Sequence, residues 1–262
     1  MELSDIIERI VSLLPDVDEN LVVLPARNGN QYISSIGAAK EPDFIGELMV
    51  QWSTQYPSEL PGIVVEKAST QHPDGCLERP YVQGSFTGDK ADIGITTISN
   101  SGSSNDWIIE VKKIEFVGDV AFKSTHQETG VATMLSPFPI TRGVIHDVGR
   151  VLSHPEGARK AVIVYAFTHD STVAQSAANH PENAAPVQQG RACNRSNNLT
   201  RLLTFNGDVA ITIETLLEPF ELLCQSYDHN LGIRNALQFS GLSQHPTYTQ
   251  GHVVGWEVFE QD

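Results

Sequence analysis

Leu3, Ile6, Ile7, Ile10, Val11 and Leu14 recur at steps of three and four. That spacing predicts an amphipathic helix over 3–14, capped by Ser4 and stopped by Pro15. A short apolar run, Leu21–Leu24, leads into a polar loop, Pro25–Gln31. Phe44, Ile45, Leu48, Met49 and Trp52 form a second helical stripe, starting near Glu41 and Pro42 and ended by Pro57. The period then changes. Gly62–Glu66 and Tyr81–Phe86 read as short strands. Lys90–Ile98 and Trp107–Phe116 read as a pair joined by Ser99–Asp106, a hairpin loop by its Ser, Asn and Gly content. In the second of these strands both alternating sets are largely apolar, Ile108 with Ile114 and Ile109 with Val111. This pattern marks a central strand covered on both sides.

Further on, Val144, Ile145, Val148, Val151 and Leu152 place a helix at Thr141–His154, and Lys160–Phe167 is a strongly apolar strand. Asp170–Asn206 has little periodicity and reads as an insertion or long functional loop. The end of the chain predicts a strand near Val209–Ile213, a helix near Leu216–Ser226 and a last strand near His252–Phe259. Helix, hairpin strands, helix, strand is the order of a mixed α/β layout with a helical crossover. No internal repeat or linker divides the 262 residues. The expectation is a single domain, 1–262, with a core over about 41–167, a polar loop at about 170–206 and an α/β extension over 207–262.

The composition, 40% apolar and 19% charged, is that of an ordinary globular protein. No stretch approaches the roughly 20 apolar residues of a membrane span. Glu2, Asp5 and Glu8 stand where a secretory leader carries Lys or Arg, so a cytoplasmic location without membrane association is expected. Cys76, Cys193 and Cys224 fit neither a disulfide framework nor a zinc motif. The net charge of −15 argues against a nucleic-acid partner, since phosphate contact draws on Lys and Arg. Its distribution softens that objection. Residues 1–19 hold six acids and one base, residues 207–262 eight acids and one base, and the middle is nearly neutral. Val187–Asn206 carries Arg191, Arg195 and Arg201 and no acid. On its own, an acidic excess is a solubility surface.

The residues that suggest chemistry lie on the hairpin strands. Asp92 stands in Lys90-Ala-Asp-Ile-Gly-Ile, and Glu110-Val-Lys112 follows eighteen residues later. Glu110 and Lys112 are two apart on a strand, so their side chains leave the same face. Charge on a central strand is expensive unless compensated. If the two strands pair, Asp92 approaches Glu110, and two adjacent carboxylates call for a cation. Mg²⁺, a hard ion bound by one or two carboxylates and water, suits them, with Mn²⁺ as a substitute. Lys112 beside it can orient an attacking water and stabilise phosphoryl charge.

This pattern resembles the PD-(D/E)xK nuclease superfamily, and within it type II restriction endonucleases. Ala91 stands where the motif has proline. The resemblance covers about half of the chain. It implies a restriction-endonuclease-like mixed β-sheet core flanked by helices. It also implies Asp92, Glu110 and Lys112 as catalytic residues. Glu47 of the first core helix would join Asp92 and Glu110 around the metal. The implied activity is Mg²⁺-dependent, sequence-specific cleavage of double-stranded DNA as restriction-type defence, by a homodimer if the site is palindromic. The alternatives are a catalytically degenerate nuclease fold used as a binding module, and a nuclease that reads DNA structure in repair.

Other residues fit around that reading. Arg27, Asn30 and Gln31 in one loop, and Arg191, Asn194, Arg195 and Arg201 in the other, are types that contact base edges, although solvated loops are polar in any case. Lys113, Lys123, Arg142 and Arg150 are candidates for phosphate contact or for plain surface placement. His169-Asp170 at a strand end is a catalytic pair or a turn. No G-x-S-x-G elbow and no G-x-x-x-x-G-K-[ST] loop is present.

Overall fold

The computed structural model describes residues 1–21, 35–37, 39, 41–59, 63–65, 93–99, 102–116, 127–137, 143–153, 159–169, 212–245 and 248–259. In chain order the helices are α1 (Leu3–Asn20), α2 (Glu41–Gln55), α3 (Gln127–Leu135), α4 (Val144–Leu152) and α5 (Ile213–Ser226). The strands are β1 (Ile63–Val65), β2 (Ile93–Ser99), β3 (Gly102–Ile114), β4 (Arg159–Phe167), β5 (Asn230–Leu231), β6 (Asn235–Phe239) and β7 (Gly251–Phe259). They form one seven-stranded sheet in the order β1-β2-β3-β4-β7-β5, with β6 also on β7. β1, β2 and β3 are antiparallel neighbours. β4 returns parallel to β3, Glu110 opposite Val162 and Lys112 opposite Val164. β7 closes antiparallel on β4. The fold is a mixed α/β one.

Two cores cover the sheet. On one face Trp107, Ile109, Val111, Ile163 and Tyr165 pack against α1 and α2. On the other Ile114, Val162, Val164, Val254 and Trp256 pack against α3, α4 and α5. β4, buried from Lys160 to Phe167, contributes to both cores, as β3 and β7 do. Alternation along β3 therefore sends Trp107, Ile109 and Val111 to the α1–α2 side, and Glu110, Lys112 and Ile114 to the α4 side.

Several expectations change. Pro15 does not stop α1, which runs on to Asn20. An internal proline costs roughly 3 kcal/mol through its lost hydrogen bond. Burial of Val17 and Leu21 opposes that cost. So does Asp18, whose carboxylate accepts from the N–H groups of Ile36, Ser243 and Gln244 at 3.0, 3.2 and 3.2 Å. Burial pushes the Asp18 carboxyl above its ordinary range, against the pull of those three donors. The cap of α1 is Glu2 rather than Ser4, its N–H donating to Asp5 Oδ2 at 2.8 Å.

Within Ser99–Asp106, Ser99 and Gly102–Asp106 are strand rather than loop. The β2–β3 ladder continues to Ser99 opposite Gly102, and the register slips between Ile95 and Thr96 with Asp106 the extra residue on β3. Backbone pairing holds a polar hairpin end that side-chain propensity alone does not favour. Ile213 opens α5 instead of closing a strand, after Thr212, whose N–H donates to Thr215 Oγ1 at 3.2 Å. α3, β5 and β6 have no counterpart in the sequence pattern. The proposed strand at 81–86 and both polar loops lie outside the described residues.

Candidate active site

Glu110 and Lys112 are set by β3, the third strand of the sheet and the parallel partner of β4. Glu110 is 3% exposed. Its partner across the layer is α4, which brings Asp147 and Arg150 onto the same patch. Asp147 falls on the apolar stripe of that helix, between Val144 and Val151, so the helix that covers the sheet also carries a carboxylate into it.

The five charges form a chain. Glu110 Oε2 pairs with the Arg150 guanidinium. Arg150 stands 3.8 Å from Asp147 Oδ1, and Asp147 Oδ2 is 3.1 Å from Lys112 Nζ. Lys112 Nζ also donates to Glu41 Oε1 at 3.3 Å. Glu41 opens α2, and its other oxygen accepts from the Lys113 N–H at 3.1 Å. That N–H lies on β3 beyond the last described pairing with β2, at Ile93 opposite Ile109, so Glu41 takes a place in the ladder. The side chains grade outward: Asp147 is 1% exposed, Glu110 4%, Lys112 16%, Glu41 23% and Arg150 28%. Asp147 and Glu110 are fixed inside, while Glu41 and the Arg150 guanidinium are the more exposed members.

Lys113 points to the other side. Its ammonium donates to the carbonyls of Gly37 and Ala39 and pairs with Glu115. It ties the strand end to the segment before α2, which is a structural role. Lys160 likewise donates to the Leu152 carbonyl at 2.7 Å, closing the C-terminus of α4. Glu47 is buried on α2, its Oε1 accepting from Gln51 at 2.7 Å. His169 is buried beside Tyr248, 5.9 Å between ring centroids.

Of the residues expected at the site, the structure brings Glu110 and Lys112 to one face of β3 and puts Glu47 on α2. Asp92 lies outside the described residues, as do Arg27, Asn30, Gln31, Lys123, Arg142, Arg191, Asn194, Arg195 and Arg201. Glu41 and Asp147 were missing from the expected set. Asp147 had a legible signal, an acid within the apolar spacing of α4. Arg150, expected at phosphate or at the surface, pairs with Glu110.

As a donor, Glu110 suits a hard cation: a buried carboxylate whose charge needs a counter-charge. Among the described residues, no group of three or more His, Cys, Asp or Glu is placed to hold a metal ion. Among the described residues no helix is long and apolar enough to cross a membrane. No family model matches the sequence, and no curated protein or solved structure matches it.

Proposed function

We propose that this chain is a Mg²⁺-dependent endonuclease of the restriction-endonuclease-like kind, acting on double-stranded DNA. One observation carries the reading: a carboxylate and an ammonium, Glu110 and Lys112, share one face of the strand that joins an antiparallel β1-β2-β3 ladder to a parallel β4. Helix, three-strand meander, helix, strand is the order of the nuclease core that Asp92 and Glu110-x-Lys112 resemble.

In this reading Asp92 and Glu110 hold the metal. Ile93, the residue after Asp92, pairs with Ile109, the residue before Glu110. The reading requires that register to continue by one residue, with Asp92 opposite Glu110. Bound Mg²⁺ would supply a Lewis acid and a water of lowered pKa. Lys112 would orient the attacking water and meet the charge that develops on the phosphoryl oxygens. Glu41 and Asp147 hold the Lys112 ammonium from two sides and so fix where it points. Glu47 remains a candidate for the metal's outer shell. Homodimerisation and recognition through the two polar loops belong to the same proposal.

A second reading has its own observation. Glu110 and Lys112 are both engaged by ion pairs to α4, the arrangement of a structural network in a nuclease-like fold that binds without cutting. Cleavage separates the two. The protein is incubated with methylated and unmethylated phage DNA in Mg²⁺, beside Lys112→Ala. Discrete fragments from the wild type and none from the variant support a sequence-specific nuclease. A smear that also needs Lys112 supports a structure-directed one. DNA left intact with Mg²⁺ and with Mn²⁺ overturns the nuclease reading in favour of the binding module.

A further inference from the structure

Glu110 and Arg150 differ in how firmly each is held. The carboxylate is 4% exposed and fixed by the central sheet, whereas the guanidinium is 28% exposed and stands in the last turn of α4. A buried carboxylate needs a positive neighbour. Arg150 supplies one without any metal. It also has a second acid to fall back on, Asp147, one turn earlier on its own helix and already 3.8 Å away. A guanidinium and a divalent ion cannot share one carboxylate at close range without strong repulsion.

We infer that Arg150 is the resident counter-cation of Glu110, and that a divalent ion binding this carboxylate displaces it toward Asp147 and solvent. The inference rests on the reading of Glu110 as a metal ligand. It makes Arg150 a built-in competitor. The buried acid is neutralised before the ion arrives, and metal affinity is reduced by the work of displacing the arginine. After displacement the guanidinium stands at the rim of the site, where it can meet a phosphate.

Mn²⁺ titration by calorimetry, without DNA, tests this on the wild type, Arg150→Ala and Glu110→Gln. Arg150→Ala is expected to bind Mn²⁺ about tenfold more tightly than the wild type, and Glu110→Gln to lose binding. Thermal melts give a second readout. Arg150→Ala should melt below the wild type in EDTA, because Glu110 is left without its cation, and should gain more from saturating Mn²⁺. If Arg150→Ala does not fold, Arg150→Gln removes the charge at similar length and carries the same expectation. Equal or weaker Mn²⁺ binding by the folded Arg150 variant, with Glu110→Gln still abolishing it, overturns the inference and leaves the nuclease reading standing. No Mn²⁺ binding by either the wild type or the Arg150 variant overturns both.

Discussion

Replacing Asp147 by leucine and Lys112 by methionine, singly and together, measures how firmly β3 is tied to α4. At 3.1 Å two unit charges attract by about 5 kcal/mol at an effective dielectric of about 20. Desolvation of Asp147, 1% exposed, opposes this by several kcal/mol. Neither single loss leaves its partner stranded. Lys112 keeps Glu41 at 3.3 Å, and Asp147 keeps Arg150 at 3.8 Å. Each single substitution should therefore cost about 1–3 kcal/mol, below the 3–5 kcal/mol of an isolated buried pair. In the double variant a leucine beside Val144, Val148 and Val151 joins the apolar layer, and no ammonium is left facing it. The double should then cost less than the two singles combined by about 1–2 kcal/mol. Urea unfolding followed by circular dichroism gives the four stabilities, provided the slope is constant across them. A buried pair is weakly screened, so the coupling should persist at about 0.5 M salt. Additivity to within about 0.3 kcal/mol, or coupling that disappears in salt, would refute the argument that Asp147 and Lys112 act as one buried unit.

Three further outcomes follow from the same structure. The His252 hydrogen bond holds the Glu214 carboxyl down at about 2, so its stabilisation is present above the ordinary value of 4.5 and is lost as pH falls from there toward 2. Wild type and Glu214→Gln should thus differ above about pH 4.5 and converge in strong acid; a gap unchanged by pH, read from melting temperatures, would contradict this. Burial in the α5 core pushes the Cys224 thiol up to about 12. In the native state it should react with iodoacetamide on the order of a thousandfold more slowly than an exposed thiol, and rapid labelling of Cys224 in a peptide map would show the core to be open there. A Cβ at Gly251 would run into the Ala166 carbonyl and come within 2.7 Å of the Phe239 ring. Gly251→Ala should therefore cost about 1–3 kcal/mol or more in unfolding experiments, and a neutral effect would mean that β4 and β7 do not approach as described.

The hydrophobic periods made the sheet's centre and the helices on both sides of it readable, because each buried residue there declares its face. β4, α4 and β7 follow this rule closely. The period was silent where backbone hydrogen bonds decide. The polar hairpin end Gly102–Asp106 is strand because β2 pairs with it. β5 and β6, with alternating or half-exposed residues, exist because β7 offers an edge. Pro15 misled for a related reason: a local rule about helix ends was outweighed by distant partners of Asp18. At the site, Glu110 and Lys112 were legible as charges on an apolar strand. Arg150 was legible as a charge but not as the partner of Glu110, since that pairing depends on how α4 crosses the sheet. Glu41 was readable as the start of a helix, but its contact with the Lys113 N–H depends on where the β2 ladder ends.

The acidic balance of the chain, which weighed against DNA in the sequence, acquires a location. The two acid-rich ends contribute α1 and α5, and these lie on opposite faces of the sheet. Glu2, Asp5, Glu8, Glu214 and Glu218 are exposed there. The charged network is built instead from α2, β3 and α4, all within the nearly neutral stretch 20–206. Within the network three acids face two bases, and the bases are more exposed than Glu110 and Asp147. Arg150 is the most exposed member of the network and Glu41 the next, while the acids of α1 and α5 lie on other elements. Salt screens the field of those distant acids over about 10 Å at about 0.1 M. The local chemistry is set by the five residues between β3 and the helices that cover it.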